Sequence, residues 1–109
     1  MTESDYRQET EVIRRIKEVV HTIEPEAELL LFGSRARGEA RRDSDYDVAI
    51  LTDRPINFAY EQKFLHEFFY IDLEMGTFIQ PFLFSKSSWN AGASPIPLVD
   101  NIRNDGKKL

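Results

Sequence analysis

The sequence predicts an α/β domain in which a small mixed sheet of about three strands is flanked by helices. Two long segments carry apolar residues at helical spacing, and short apolar runs ending at glycine or proline lie between them. The chain has 109 residues, of which 41% are hydrophobic and 12% aromatic, a composition typical of one folded domain. We therefore treat residues 1–109 as a single domain.

The first part of the chain predicts a helix, a strand and a short helix. Over residues 6–23 apolar side chains recur every three or four positions, and a proline follows closely. The apolar run at residues 29–32 is typical of a strand buried on both faces, and Gly33 marks its end. Ser34 is predicted to cap a short helix that stops at Gly38.

The second part predicts two more strands around a long helix. A strand is expected over residues 46–51, a helix over residues 57–75, and a third strand over residues 77–84. Pro81 indicates that this third strand lies at an edge of the sheet or carries a bulge.

The C-terminal part predicts a loop and then a last helix. Residues 85–97 are small or polar around Trp89, which we expect to anchor a loop. Pro97 at the first helical position and Gly106 at the end predict a short final helix.

Composition excludes several classes of protein. The absence of cysteine excludes disulfides, thiolate zinc sites and cysteine nucleophiles. A formal net charge of −5 argues against a protein that binds a long nucleic acid through its overall charge. No apolar run is long enough to cross a membrane, and the N-terminus lacks the features of a signal peptide, so we expect a cytoplasmic protein without membrane contact.

Two short motifs carry the chemistry. Gly33 and Ser34 stand between a strand and a helix N-terminus, where a close backbone approach and unpaired N–H groups favour a phosphate. Asp45 and Asp47 are two residues apart at a strand, so both carboxylates leave the same face. With no histidine or cysteine nearby, these oxygen ligands favour Mg²⁺ or Mn²⁺ together with substrate phosphates. Each motif is weak alone, and their conjunction is much more specific.

The combined motif resembles that of DNA polymerase β-like nucleotidyltransferases, and in particular their minimal nucleotidyltransferase (MNT) branch. The resemblance rests on Phe32-Gly33-Ser34, Arg35-Ala36-Arg37-Gly38, and Ser44-Asp45-Tyr46-Asp47-Val48. It implies a polymerase β-like fold and transfer of a nucleoside monophosphate from an NTP, ATP being the expected one, to a hydroxyl. It also implies that Gly33, Ser34, Arg37 and Ser44 bind the nucleotide, while Asp45 and Asp47 act in catalysis and bind two Mg²⁺ ions.

The sequence departs from that family pattern at one position. The family's third carboxylate normally lies on the strand after the long helix, where the best-placed polar residue here is Gln80. A neutral amide is a poorer Mg²⁺ ligand than a carboxylate. The nearest acids, Asp72 and Glu74, are predicted to lie in the helix before Gly76. Transfer is therefore expected to be slow, specialised or lost.

Other charged and apolar residues leave alternatives open. Arg35, Arg41 and Arg42 are as compatible with phosphate contacts as with solvated loop charge. On the long helix apolar residues cover about half the circumference, wider than an ordinary amphipathic stripe. Either this helix is deeply buried or part of it meets another chain. The resemblance implies a HEPN-type helical protein of a toxin–antitoxin pair as the partner, and a homodimer is the alternative.

Two functional hypotheses follow from the sequence. The first is a Mg²⁺-dependent nucleotidyltransferase whose acceptor is a protein or a small molecule. The second is a catalytically weak or inactive module that binds a nucleotide or a partner and lacks the third carboxylate. Gln80 is the residue that separates them.

Overall fold

The computed structural model describes residues 1–92 and 96–109, which form one four-stranded sheet and five helices. The helices are α1 (Glu3–Ile23), α2 (Ser34–Arg37), α3 (Phe58–Met75), α4 (Lys86–Asn90) and α5 (Pro97–Asp105). The strands are β1 (Glu28–Phe32), β2 (Tyr46–Thr52), β3 (Ile79–Ser85) and β4 (Lys107–Lys108). In the order β3-β2-β1-β4, β2 is antiparallel to β1 and parallel to β3, which confirms the predicted small mixed sheet.

The larger core lies between the sheet and the two long helices. Both helices present apolar stripes to the same face of the sheet, as the spacing predicts. The fully buried members are Val12, Ile16 and Val20 from α1, and Phe64, Phe68 and Ile71 from α3. Each such side chain contributes about 1.5–3 kcal/mol on burial. The central strands are thereby held rigidly on this side.

The opposite face of the sheet has a smaller core. Phe32, Ala49 and Ile102 are buried there, and Phe82 and Trp89 pack partly against them. Within residues 1–92 and 96–109, the helices that pack on this face are the short α4 and α5. Because side chains alternate along a strand, Asp47 belongs to the same face as Ala49. The acidic residues therefore lie on the thinly covered side of the sheet.

Two helix starts differ from the predictions. α1 begins at Glu3 rather than near residue 6, because the Thr2 hydroxyl accepts from the Asp5 N–H and the Asp5 carboxylate accepts from the Thr2 N–H. The prediction that Ser34 caps α2 is wrong. Gly33 is the N-cap and makes no side-chain cap, and Ser34 is the first helical residue. The predicted stop of α2 at Gly38 is confirmed.

Two elements after β3 were not predicted. The expected loop at residues 85–97 contains α4, whose first turn is capped by the Ser85 hydroxyl; residues 93–95 of that loop lie outside the described residues. After the predicted last helix, β4 pairs with β1 and adds a fourth strand. Trp89 lies in α4 rather than in a loop, and its ring packs 5.3 Å from that of Phe84, so it anchors the helix to β3.

Two further expectations concern the edge strand and the membrane. β3 is an edge strand of the sheet, as Pro81 indicates, and an edge position explains how a proline is tolerated in it.

Among the described residues, no helix combines the length and apolar character that a membrane span requires.

Candidate active site

The two aspartates and Gln80 meet at the edge of the sheet where β1 ends and where β2 and β3 begin. Asp47 lies opposite Phe32 of β1 on one side and Gln80 of β3 on the other. The Gln80 side-chain amide donates a hydrogen bond of 3.1 Å to Oδ2 of Asp45. The structure thus brings Asp45, Asp47 and Gln80 into one cluster, with Gln80 at the place considered for the third carboxylate.

Gly33 touches this acidic cluster directly. Its backbone has φ +76° and ψ −157°, a conformation essentially restricted to glycine. A Cβ added at Gly33 would lie 2.5 Å from Oδ2 of Asp47. The turn that begins with Gly33 and Ser34 therefore lies against the carboxylate of Asp47, and the two sequence motifs form one site.

The electrostatic state of Asp47 favours a bound cation. Partial burial raises the pKa of the Asp47 carboxyl, and the negative charge of Asp45 raises it further, while Arg37 offsets part of this effect. The ionised form of Asp47 is therefore disfavoured when no cation is present. Binding a positive ion would relieve both the burial cost and the repulsion.

Arg37 and Ser44, the other residues predicted to bind the nucleotide, make hydrogen bonds or ion pairs with neighbouring residues of the chain. The Arg37 guanidinium is partly exposed and lies 3.3 Å from Glu39 and 3.7 Å from Asp105. These are exposed ion pairs of small energy, so Arg37 is free to exchange them for a phosphate. The Ser44 hydroxyl accepts a 2.8 Å hydrogen bond from the Arg41 N–H. In this arrangement Ser44 stabilises the loop before Asp45.

The acids considered as substitutes for the third carboxylate have other partners. Asp72 accepts hydrogen bonds from the Thr77 hydroxyl and the Ile79 N–H, and so ties the end of α3 to the start of β3. Glu74 forms a 2.7 Å ion pair with Arg15 of α1. Both lie in α3, as predicted, and their contacts are structural.

Arg35 has a role that the sequence did not reveal. The sequence is compatible with a phosphate contact or a solvated charge at Arg35, and the structure shows neither. Its side chain is only 3% exposed and pairs with Glu9 of α1. An arginine bounded by Ser34 and Ala36 gives no sign that its partner lies 26 residues earlier. One signal was available in the sequence: Glu9 precedes Val12 and Ile16 at helical spacing, which places it on the buried side of α1.

The donor set fits a hard divalent cation shared with a ligand. Carboxylate oxygens are the ligands that Mg²⁺ and Mn²⁺ prefer, and Mg²⁺ commonly takes one or two of them plus phosphate oxygens. Over residues 1–92 and 96–109, no group of three or more His, Cys, Asp or Glu side chains is arranged to hold a metal by itself. Asp45 and Asp47 would therefore supply the protein's carboxylates, and a bound phosphate would complete the coordination.

Comparison with known proteins agrees with this geometry. The model of the family described as "Nucleotidyltransferase domain" matches residues 13–81, which is more than half of the chain and includes every residue of the acidic cluster. The "Probable protein adenylyltransferase MntA" of Haemophilus influenzae is 30% identical over 64 residues. That alignment covers 59% of this chain and 56% of the relative, so the chain matches only about half of the relative's length.

Solved structures agree in fold. A structure titled "Crystal structure of the toxin-antitoxin with AMP-PNP" has a TM-score of 0.63 at 17% identity, covering 87% of this chain and 69% of the other. The Cid1 poly(U) polymerase with bound MgGTP has a TM-score of 0.53 at 24% identity, covering 64% and 22% of the two chains. On the family match and this shared fold, the chain belongs to the nucleotidyltransferase domain family, within the polymerase β-like superfamily that its motif resembles.

Proposed function

We propose that this protein transfers a nucleoside monophosphate from ATP or another NTP to a hydroxyl group of a protein or small molecule, with release of pyrophosphate. One observation carries the proposal: the turn at Gly33 lies against the carboxylate of Asp47, so a triphosphate on that turn would be beside the Asp45–Asp47 pair. The resemblance to a probable protein adenylyltransferase supports ATP and a protein acceptor.

Each residue of the site has a distinct task in this proposal. Gly33 and Ser34 hold the β- and γ-phosphates through backbone and hydroxyl groups, and Arg37 adds positive charge. Asp45 and Asp47 hold divalent metal, Mg²⁺ or Mn²⁺, which when bound polarises the α-phosphate and lowers the pKa of the attacking hydroxyl. Ser44 fixes the loop before Asp45. The chain itself mainly orients the nucleotide and offsets its charge.

Gln80 sets the expected rate. Its amide donates to Asp45, which orients that carboxylate, but it adds no negative charge for a second metal ion. We therefore propose a site that holds one divalent cation firmly and a second one weakly. Under this proposal the enzyme is slow, and the alternative of a nucleotide-binding module without turnover remains its direct competitor.

The transfer reaction can be tested with α-labelled ATP, Mg²⁺ and candidate protein acceptors. We expect slow labelling by the wild type and none by the Asp45→Ala/Asp47→Ala variant. Replacing Gln80 with aspartate supplies the missing carboxylate, so turnover should rise about tenfold or more, a change of about 1.4 kcal/mol in the barrier.

Gln80→Asn is the matched control, because it has the length of aspartate without the charge. A rise with asparagine equal to that with aspartate would contradict the explanation through charge. Labelling that persists in the double alanine variant would remove the assignment of the site. A silent wild type that still binds ATP would favour the binding module.

A second proposal concerns the exposed side of α3. Tyr60, Phe64, Phe68 and Ile71 are buried, as the stripe predicts. In contrast, Phe69 is 58% exposed and Leu73 is 65% exposed, and Phe78 beyond the helix is 58% exposed. Phe69 and Leu73 lie one turn apart on the same face of α3, and exposed large apolar side chains that adjoin in this way are typical of a protein interface. We infer that this face binds a second protein chain, either a HEPN-type helical partner or a second copy.

The interface can be tested by placing charges on this face. We expect Phe69→Asp/Leu73→Asp to leave the fold intact, since both side chains are exposed, and to reduce partner affinity by a factor of a hundred or more, about 3 kcal/mol. Light scattering of the chain, alone and co-expressed with the product of a neighbouring gene, would measure the assembly.

Lys63→Asp is the control for this experiment, because this single change also shifts the net charge by −2, at an exposed position of the same helix away from Phe69 and Leu73. Assembly that survives the substitutions at Phe69 and Leu73 would contradict the inference. An equal loss of assembly in the control would show that the added negative charge, and not the apolar face, is responsible.

A further inference from the structure

Arg35 connects three parts of the fold around the base of the site. Its Nη1 lies 2.6 Å from the Glu9 carboxylate on α1. On the other side, Nη2 and Nε donate to the Ser44 carbonyl at 2.8 and 3.2 Å, and Nη2 also reaches the carbonyls of Arg41 and Arg42 at 3.4 and 3.2 Å. The guanidinium thus donates hydrogen bonds to three backbone carbonyls of the loop at residues 41–44, which leads into Asp45.

The same guanidinium also stacks on the residue between the two aspartates. Its Cζ lies 3.8 Å from the ring centroid of Tyr46. Tyr46 is only 2% exposed and belongs to the core under α1 and α3. Its ring leaves the sheet on the face opposite to that of Asp47, since successive side chains of a strand alternate. Arg35 therefore contacts Tyr46 and the loop before Asp45, and it lies on the face of the sheet opposite to the carboxylate of Asp47.

Burial of this charge is costly unless every donor is satisfied. Glu9 supplies the opposite charge to Nη1, and backbone carbonyls accept hydrogen bonds from Nε and Nη2. Lysine could not reproduce this, because one ammonium cannot span the carboxylate and the loop carbonyls together. The site therefore requires the planar, forked donor of arginine at this position.

We propose that Arg35 is a positioning residue: by clamping the loop at residues 41–44 and the ring of Tyr46 to Glu9, it fixes Asp45 and Asp47 in the geometry that binds the metal. The proposal rests on the proposed function, since it assigns Arg35 to that same site. Its contribution acts through the backbone, with no contact to nucleotide or metal.

The test compares Arg35→Lys and Glu9→Gln with Arg15→Lys, which alters another arginine that joins α1 to its surroundings through an ion pair with Glu74. Metal affinity is measured by titration with Mn²⁺, and amide hydrogen exchange is measured on the same proteins. Loss of supporting partners of this kind typically weakens metal binding about 10- to 100-fold. We expect that loss for the Arg35 and Glu9 variants and an unchanged dissociation constant for Arg15→Lys.

Hydrogen exchange provides a readout that does not depend on metal. In the wild type the Ser44 N–H is bonded to the Arg41 carbonyl and the Arg41 N–H to the Ser44 hydroxyl. We expect these two amides to exchange about tenfold faster in Arg35→Lys, as loss of charge-assisted hydrogen bonds implies, and to be unchanged in Arg15→Lys. Faster exchange confined to the loop separates local loosening from general destabilisation.

The outcomes distinguish this proposal from the proposed function. If the wild type binds no Mn²⁺, the function fails, and the exchange of the Arg41 and Ser44 amides still decides whether Arg35 fixes the loop. If the wild type binds Mn²⁺ and Arg35→Lys binds it equally well, the positioning role is overturned. Unchanged exchange in Arg35→Lys and Glu9→Gln overturns it as well, even where the melting temperature falls. Glu9→Gln keeps the test valid if Arg35→Lys does not fold.

Discussion

Replacing Asp47 with asparagine should raise the melting temperature at neutral pH in metal-free buffer and abolish stabilisation by Mg²⁺. Burial and the charge of Asp45 raise the pKa of Asp47, so its ionised form destabilises the folded state. Because the group is partly exposed, solvent screens the effect and we expect a gain of a few degrees. Mg²⁺ should stabilise the wild type in proportion to its binding, and the variant much less.

The pH dependence of this difference has a definite sign. A carboxyl whose pKa is raised on folding costs no stability below the ordinary aspartate value of about 3.9, where it is protonated in both states. The cost appears as the pH rises above that value and is complete once the pH exceeds the raised pKa. Melting temperatures of the two proteins should therefore converge towards about pH 4 and separate towards pH 7.

Asp43→Asn is the control for the removal of one negative charge, because Asp43 is an exposed residue of the same loop. It should change neither the melting temperature nor the response to Mg²⁺. A stabilisation by Asp43→Asn as large as that by Asp47→Asn would show that overall charge, rather than the paired site, is responsible.

Replacing Gly33 with alanine should abolish metal and nucleotide binding. The backbone at Gly33 lies in a region that costs other residues about 1–3 kcal/mol. In addition, the new methyl group would meet Oδ2 of Asp47 at 2.5 Å, so the carboxylate or the turn must move. We expect loss of both Mn²⁺ and ATP binding, measured by calorimetry on protein that circular dichroism shows to be folded.

Gly38→Ala is the matched control. Gly38 also has a positive φ, +74°, but a Cβ there would meet nothing within 4 Å. Alanine should lower the free energy of unfolding by about 1–2 kcal/mol through backbone strain, while ligand affinities stay within a few-fold of the wild type. Equal loss of binding in both variants would contradict the view that Gly33 is required for its contact with Asp47.

The sequence predicts those parts of the fold that repeated local signals specify. The apolar spacing and the closing Gly76 predict a helix over residues 57–75; the structure has α3 at Phe58–Met75, with Asn57 as its N-cap. Residues 46–51, followed by a polar segment with a proline, predict a strand, and β2 is one of the two central strands and is buried along most of its length. In both cases the local pattern and the tertiary packing require the same structure.

Other elements depend on partners that are distant in sequence. β4 consists of Lys107 and Lys108, which have no preference for a strand and are held by pairing with Leu31 and Leu30 of β1. α4 is a five-residue helix without apolar periodicity, and a serine hydroxyl caps it. These elements are set by tertiary contacts, which a local pattern does not contain.

The candidate site divides in the same way. The placement of Gly33 beside Asp47 follows from one strand ending in a turn and its neighbour beginning with acids, which the motif spacing predicts. The clamp formed by Arg35 could not be predicted, because the burial of an arginine depends on a carboxylate of another helix. The role of Gln80 was open until the register of β3 placed it beside the aspartates.

Mn²⁺ can replace Mg²⁺ as a probe of whether Asp45 and Asp47 hold a divalent cation beside a nucleotide bound at Gly33 and Ser34. In a titration with Mn²⁺ followed by electron paramagnetic resonance, we expect the wild type to bind one Mn²⁺ tightly and a non-hydrolysable ATP analogue to strengthen this binding. Asp45→Asn/Asp47→Asn should abolish Mn²⁺ binding in a protein that remains folded. Equal Mn²⁺ affinity in the wild type and the double variant would show that the two aspartates do not form the metal site.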